Sequence, residues 1–429
     1  LTTITFYFLL HYIIFSSFTL SSLFTTKLFI CALVIKLLFS FLFGSDVFTQ
    51  DTIPFVHYFV DNGFANPYAH AFETASLSFP YASLMLYLLA LPHVLLYAFH
   101  ALLPNVLALD LFITRIPLLF ADIAIYYILC KLLVGHTRSV LLYYWCSPIV
   151  LYLLYFSGQL SAIPIALLLL ALYFLITTRT ILSLITLGLS LATKNGIVVI
   201  VPLFFIYLYK QRMTLLKTIY SVLLIPLTYI VLTLPHLFSK GFWELTIFGK
   251  EQLNMFALSL ASTYQLFLLP AAYIAMILYF FTFRKINKDL LIMMTSIVFT
   301  VFLVLAPPLP AWYYWCLPFL AYFFIKEKTI YAINYWAFTL FYLLHVTFII
   351  DSDVLQSFQF VLPSLTTLIS PYALLESLGV ASFLSSVMYT LLTATLLLAS
   401  YWIYKYGIQS NLLYKKRDTP FLIGISGDS

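Results

Sequence analysis

The connection between residues 44 and 111 carries the side chains best suited to chemistry. Its first part, from Gly44 to Tyr81, contains acidic residues and aromatic–proline pairs but no Lys or Arg, and long apolar runs flank it. Asp46 comes just after an apolar run, so we expect its carboxylate at a membrane–water interface, where it can act as a general base or help to bind a metal ion. Asp51 lies too far along the chain to form a DxD metal pair, and we expect it to orient the loop or to bind an acceptor. The alternatives are an ordinary solvated connector for the loop and a solvated helix-terminal carboxylate for Asp46.

The composition excludes an ordinary soluble protein. Of the 429 residues, 63% are hydrophobic and only 8% are charged, and the mean hydropathy is +1.05. Apolar runs of the length that a helix needs to cross a bilayer recur along the chain. The sequence therefore predicts an all-α, polytopic integral membrane protein.

The cysteines and the N-terminal segment suggest neither a disulfide framework nor a signal peptide. The four cysteines lie in or beside apolar runs without CxxC spacing, and we interpret them as packing residues. The stretch from Ile4 to Leu20 lacks a basic region and a small-residue cleavage pattern, so we interpret it as a membrane segment.

Basic residues occupy short connections that can all lie on one side of the membrane, and that side is expected to be cytoplasmic. This assignment requires that the apolar segment 83–103, which contains Pro92 and two histidines, does not cross. We interpret this segment as a juxtamembrane helix on the outer surface, within the first large outer loop. About thirteen membrane-spanning helices remain. We expect a multi-pass protein of the cytoplasmic membrane of a prokaryote, with its site on the outer face and its C-terminus in the cytoplasm.

Lys194 is the second candidate for chemistry. Its ammonium group lies between two apolar stretches, where a charge is costly unless it meets an anion or extends to the surface. We expect a lipid phosphate as its partner, with a lysine that merely snorkels as the alternative. Arg115 and Asp122 are seven residues apart, which places them on one helix face, and we expect them to brace neighbouring helices.

Aromatic and histidine side chains complete the set of candidates. The cluster from Trp312 to Trp315 is predicted at an outer interface, either as a membrane anchor or as a surface that stacks on a sugar or an isoprenoid. His57, His70 and His236 fall on the outer side without the spacing of metal ligands. Of these, His57 and His70 are weaker candidates for the site.

Five segments, in the same order, resemble the conserved segments of GT-C superfamily glycosyltransferases, which use polyprenyl-phosphate sugars. The resemblance covers about 280 residues, and the nearest groups are the first GPI mannosyltransferase and bacterial transferases of the same class. The segments are GSDVFTQD with DNGFANPY and FPY, then ITRIPLLFADI, SPIVLYLLYFSGQLSAIP, SLATKNGIVVIVP and PPLPAWYYWCLPFL.

The resemblance implies inverting transfer of a hexose, with mannose favoured, from a polyprenyl-phosphate donor to an extracytoplasmic lipid, glycan or protein acceptor. It implies Asp46 as the catalytic base, membrane lipids as surroundings and no nucleic acid partner. Asp46 is not in a DxD pair, and Ser161 stands where the family's GQ turn has an acidic residue, so a divalent metal is neither required nor excluded. The residues implied to bind substrate are Asp51, Tyr68, Tyr81, Gln159, Lys194, Tyr313 and Trp315.

The domain organisation follows from the same segments. Residues 1–414 are predicted to form the transmembrane glycosyltransferase domain, with the outer catalytic loop at 44–111, and residues 415–429 a cytoplasmic tail. The final residues, FLIGISGDS, resemble the start of a uridine kinase or phosphoribulokinase-like P-loop domain, although the phosphate-binding glycines and lysine are not present. A hydrophobic tail is the alternative.

Two other functions compete with glycosyl transfer. A transporter or flippase of lipid-linked saccharides should show internal repeats and titratable residues near the membrane midplane. A polymerase or ligase of surface glycans should place its key loop late in the chain and use arginines there. The acidic residues concentrate instead in the first outer loop, which favours the transferase.

Overall fold

The computed structural model describes residues 27–75, 77–96, 107–211, 213–249, 253–260, 264–306, 310–326, 330–349 and 370–417. Within these ranges the protein is mostly helical, and the β structure consists of a short antiparallel ribbon in which Ser259–Leu260 pairs with Leu266–Phe267. The prediction of an all-α fold is confirmed. The apolar segment near the N-terminus and the FLIGISGDS tail lie outside the described residues.

In the described part of the chain, the helices of the first half include those of the outer loop, residues 44–111. They are α1 (Lys27–Leu42), α2 (Val47–Asp61), α3 (Pro67–Thr74), α4 (Ser83–Leu95), α5 (Leu107–Leu132), α6 (Thr137–Trp145), α7 (Pro148–Phe156), α8 (Ala162–Ile176), α9 (Thr180–Leu191) and α10 (Asn195–Lys210). The first turns of α2 are π-helical and those of α10 are 3₁₀.

The second half continues with helices and two 3₁₀ turns. They are α11 (Leu215–Thr233), α12 (Lys240–Phe242, continued by a π-helical turn, Trp243–Ile247), a 3₁₀ turn at Asn254–Phe256, α13 (Leu268–Phe281), α14 (Lys288–Leu305), a 3₁₀ turn at Pro310–Trp315, α15 (Leu317–Lys326), α16 (Ile330–Ile349), α17 (Pro371–Ser377) and α18 (Ala381–Arg417).

In the described part of the chain, fewer helices could span a membrane than the sequence predicted. Three helices of the described part are long and apolar enough to cross: Leu215–Thr233, Lys288–Leu305 and Ala381–Leu412. Two bent pairs, α1 with α2 at 67° and α6 with α7 at 44°, raise the number to at most five. The prediction of about thirteen spans is not met, because many apolar runs fold into helices of 10–17 residues, and even 17 residues extend only about 26 Å. These features are compatible with a membrane protein.

Helix α4 is short, and it belongs to the segment 83–103 that was predicted to lie along the outer surface. Helix α4 has 13 residues and extends about 20 Å, less than the roughly 30 Å of the hydrocarbon layer. Most of its side chains, including His93, are buried against neighbouring helices. The 13 residues of α4 are thus too few to cross by themselves, residues 97–103 of the predicted segment lie outside the described residues, and its position at the membrane surface stays a prediction.

Helix α5 is the central packing element of the first half. It contacts α1, α4 and α8, and its side chains are buried along most of its length. Helix α9 packs on α8 and on α11, and its end leads directly into Lys194. The outer loop and the turn that carries Lys194 are therefore held by the same group of helices.

The helices of the outer loop are short, and α3 has a side-chain cap at its N-terminus. Helix α3 begins where the Asn66 side chain accepts hydrogen bonds from the backbone N–H groups of Tyr68 and Ala69, with Pro67 in the first turn. It ends at Ala75, whose φ of 49° lies in the left-handed region. From residue 77 the chain runs without helix until α4 begins.

Candidate functional site

The turn that precedes α2 is joined to the turn that contains Gln159. Both the backbone N–H and the hydroxyl of Ser45 donate to the carbonyl of Ser157, at 3.4 and 2.7 Å. Asp46 and Gln159 follow these two residues, and both side chains are half-buried. Two of the predicted site residues therefore lie on turns that are in direct contact.

Gly158 makes this contact possible. Its φ is +82°, a conformation that favours glycine, and a Cβ atom built on it would lie 2.6 Å from the ring of Phe48. Phe48 is buried in the first turns of α2, two residues after Asp46. A side chain at position 158 would push the Gln159 turn away from the Asp46 turn.

A second cluster surrounds Lys194. The ammonium nitrogen lies 5.0 Å from the ring centroid of Tyr81 and 5.1 Å from the ring of Trp315, and the residue is only 6% exposed. Two backbone hydrogen bonds hold the segment of Tyr81 beside Lys194: Ala82 N–H donates to the Thr193 carbonyl, and Leu84 N–H donates to the Ala192 carbonyl. Three predicted substrate-binding residues are thus brought together, with a cation between two aromatic rings.

Trp315 is held from several sides. It stacks on Trp312 with ring centroids 5.3 Å apart, and a Cβ on Gly196 would come within 2.9 Å of its ring. Its indole N–H donates to the hydroxyl of Ser161 at 3.4 Å. Ser161 therefore supports an aromatic side chain of the Lys194 cluster.

The turn 157–161 connects the two clusters. Ser157 accepts the hydrogen bonds of Ser45 at one end, and Ser161 accepts that of Trp315 at the other. Five residues limit the separation of these two contacts to roughly 14 Å even when fully extended. We call the Asp46 turn, the turn 157–161 and the Lys194 cluster together the outer-loop site.

Asp51 orients the loop. Its carboxylate accepts a hydrogen bond of 3.1 Å from the backbone N–H of Ser78, and this contact ties α2 to the chain just before Tyr81. Partial burial raises the pKa of the Asp51 carboxyl above its usual value, and the hydrogen bond from Ser78 lowers it in part. The loop-orienting alternative of the sequence prediction is the one that this contact supports.

Two predicted site residues are located in the core. Tyr68 is fully buried among aromatic rings, and its hydroxyl donates to the backbone carbonyl of Tyr81 at 2.9 Å. Tyr313 is buried against Tyr342 and Phe338. Tyr68 can position Tyr81, and Tyr313 packs the late aromatic segment, but neither presents its ring to a surface.

The structure adds a buried charge pair that the sequence analysis missed. Lys36 of α1 lies 2.7 Å from the Asp122 carboxylate of α5, which also accepts hydrogen bonds from the hydroxyls of Tyr144 and Tyr155 at 2.8 and 2.7 Å. Tyr144 in turn hydrogen-bonds to the Tyr314 hydroxyl. In the sequence, the sign of this pair was Lys36, the one lysine inside the apolar run 28–44.

The prediction that Arg115 and Asp122 brace neighbouring helices is confirmed. Asp122 binds Lys36, and Arg115 donates to the backbone carbonyl of Ser40, so both side chains hold α1 against α5. The Arg115 guanidinium also lies 4.6 Å from the Phe48 ring. Arg115 therefore links the pair of α1 and α5 to Phe48, the ring that packs against Gly158 of the outer-loop site.

The histidines that were predicted on the outer side have different environments. His70 stacks on Tyr58 at 4.0 Å. His236 is buried, its Nδ1 lies 2.9 Å from the Ser83 hydroxyl, and burial lowers its pKa to about 4. His57 lies near two possible metal ligands, His93 and Asp110, in the described part of the chain. These three come from α2, α4 and α5, and their spacing along the chain gave no sign of their proximity.

No protein-family model and no curated protein matches this sequence. The similarity to GT-C glycosyltransferases therefore stays a prediction from the segments quoted above.

Proposed function

We propose that the protein is a membrane glycosyltransferase of the GT-C type that transfers a hexose, with mannose favoured, from a polyprenyl-phosphate donor to an extracytoplasmic acceptor. The observation that carries this proposal is the Lys194 cluster, in which a cation lies between two aromatic rings and is linked by one short turn to Asp46.

Lys194 is suited to the phosphate of the donor. The site offers a nearly buried ammonium, and a charge-assisted interaction with a phosphate is stronger where water is excluded. Tyr81 and Trp315 present aromatic faces beside it, and such faces can stack on a sugar ring or contact an isoprenoid chain.

Asp46 is suited to the proton transfer. In the proposed reaction the acceptor hydroxyl oxygen forms a bond to the anomeric carbon, while the bond from that carbon to the phosphate oxygen breaks. The hydroxyl proton passes to the Asp46 carboxylate, and the polyprenyl phosphate leaves with the electron pair beside Lys194. Gln159 shapes the space between these groups, and Asp51 and Tyr68 hold the loop and Tyr81 in place.

A transporter or flippase of lipid-linked saccharides is the second candidate. One observation favours it: the Lys36–Asp122 pair with its tyrosine partners is a buried titratable group between apolar helices, as in many transport pathways. The pair also has a structural explanation, since it holds α1 against α5. We therefore rank transport below glycosyl transfer.

The test is transfer of radiolabelled sugar from a panel of polyprenyl-phosphate hexoses by the purified full chain. Asp46→Asn should abolish transfer, whereas Asp61→Asn, which removes an exposed carboxylate of the same loop, should retain it. Full activity of the Asp46 variant would remove this residue as the base. Donor binding without transfer or hydrolysis, together with donor movement across vesicles, would favour the transporter.

A further inference from the structure

Three side chains of the outer loop meet at a point that the proposed reaction does not use. One ligand atom each from His57, His93 and Asp110 lie within 4.8 Å of one another. His57 Nε2 and Asp110 Oδ1 are 3.4 Å apart. Ligands of a tetrahedral ion with bonds of 2.0–2.1 Å are separated by about 3.3 Å, so this edge already has the required length.

The hydrogen bonds around His93 fix its tautomer. The Thr114 hydroxyl donates to the carbonyl of Asp110 at 2.7 Å, which uses its only proton. The 2.8 Å contact between Thr114 and His93 Nε2 must then be a bond that the imidazole donates. His93 is therefore protonated at Nε2, and in the neutral imidazole the lone pair is then at Nδ1. Histidine ligands of metal ions typically donate their other N–H in this way.

Burial separates this cluster from an ordinary surface group. His93 is 4% and Asp110 7% exposed, and His57 is partly buried. The rings of His57 and His93 meet edge to face at 5.0 Å. A cation that entered here would join α2, α4 and α5 and would be shielded on most sides.

We propose that His57, His93 and Asp110 bind a divalent transition-metal ion of the Zn²⁺ class, which pins the three helices of the outer loop together. Imidazole and carboxylate ligands suit Zn²⁺, Co²⁺ and Ni²⁺ better than Mg²⁺ or Ca²⁺, which prefer oxygen ligands alone. A water molecule completes the coordination. We assign the ion a structural role, because its ligands come from three separate helices and none of them is a group that the proposed reaction uses.

The position of the ion explains how it would influence that site. Leu111 follows Asp110, and a Cβ on Gly44 would lie 2.8 Å from the Leu111 side chain. Leu111, the neighbour of the ligand Asp110, therefore packs against the turn that leads to Asp46. Binding should stiffen that turn without contributing a group to the reaction.

The experiment is a Co²⁺ titration of the full chain, stripped with a chelator and purified through a tag without histidine. One equivalent should bind with the visible absorption of tetrahedral or five-coordinate Co²⁺, and Zn²⁺ should displace it. Asp110→Asn and His57→Gln should each abolish the absorption, while His70→Gln, a histidine of the same loop, should retain it. Thr114→Val should weaken binding by about 10- to 100-fold.

A second readout separates metal loss from misfolding. Zn²⁺ should raise the thermal midpoint of the parent and of His70→Gln, but not that of Asp110→Asn, whose fold is checked by circular dichroism. Absence of stoichiometric Co²⁺ binding to the parent would overturn the proposal, as would undiminished binding by both ligand variants. Because neither readout uses a sugar donor, the outcome is independent of the proposed reaction.

Discussion

Replacement of Gly158 by alanine should destabilise the protein at the contact between the Asp46 and Gln159 turns. Two costs add at this position. The φ of +82° is unfavourable for alanine, and the new Cβ would lie 2.6 Å from the Phe48 ring. Gly135 provides a matched control, because its φ of +85° is similar while no heavy atom lies within 4 Å of its Cβ position.

The structure gives a magnitude for each cost. The left-handed conformation should cost about 1–2 kcal/mol for Gly135→Ala and for Gly158→Ala alike. Overpacking against a buried ring adds about 1–3 kcal/mol to Gly158→Ala only. The expected loss of unfolding free energy is therefore about 1–2 kcal/mol for the control and about 2–5 kcal/mol for Gly158→Ala.

Thermal unfolding in detergent, followed by tryptophan fluorescence, measures the difference between the two variants. A further Phe48→Leu substitution should recover part of the loss in Gly158→Ala but should only destabilise Gly135→Ala, since the recovery requires the clash. Equal midpoints for the two glycine variants, or no coupling to Phe48, would refute the close contact of the two turns.

Three further predictions concern residues of the outer loop or in contact with it. Burial lowers the folded-state pKa of His236 to about 4, so the unfolded chain binds more protons below pH 6.5. Stability should therefore fall by up to about 3 kcal/mol as pH drops from about 6.5 to 4. A pH series of unfolding midpoints without this decline would contradict the prediction. Asp51 has a raised folded-state pKa, so its contribution to stability decreases as pH rises above about 4. Asp51→Asn keeps the acceptor for Ser78 and should be at least as stable as the parent at pH 7, whereas Asp51→Ala should lose about 1 kcal/mol of unfolding free energy. The reverse order of the two variants in thermal unfolding would contradict the orienting role. Tyr68→Phe removes the bond to the Tyr81 carbonyl and should lower stability by about 1 kcal/mol and raise the KM for the donor; a donor KM equal to that of the parent would argue against a positioning role.

The sequence predicted the helical class because long apolar runs leave few alternatives. It overestimated the number of membrane spans because hydropathy does not show where a run breaks. The chain bends between α1 and α2, and the run before Lys194 ends as a 12-residue helix. Breaks of this kind depend on tertiary contacts such as the one between Ser45 and Ser157.

Individual site residues were predictable to different degrees. The sequence left two roles open for Asp51, orienting the loop or binding an acceptor, and the bond to Ser78 agrees with the first. The proximity of Tyr81, Lys194 and Trp315 was implied only by the resemblance, since these residues are far apart along the chain. His93 and Asp110 were missed because their partner, His57, is brought to them by the packing of three separate helices.

Steady-state kinetics of glycosyl transfer test the central claim most directly, namely that Asp46 and Lys194 act on one donor in different roles. Lys194→Met should raise the KM for the polyprenyl-phosphate sugar by about 10- to 100-fold, as expected for the loss of a charge-assisted bond, and change kcat little. Asp46→Asn should lower kcat by about 10²- to 10⁴-fold, as expected for the loss of a general base, with little change in KM. An Asp46→Asn variant with the kcat of the parent, or a Lys194→Met variant with an unchanged KM, would contradict the account.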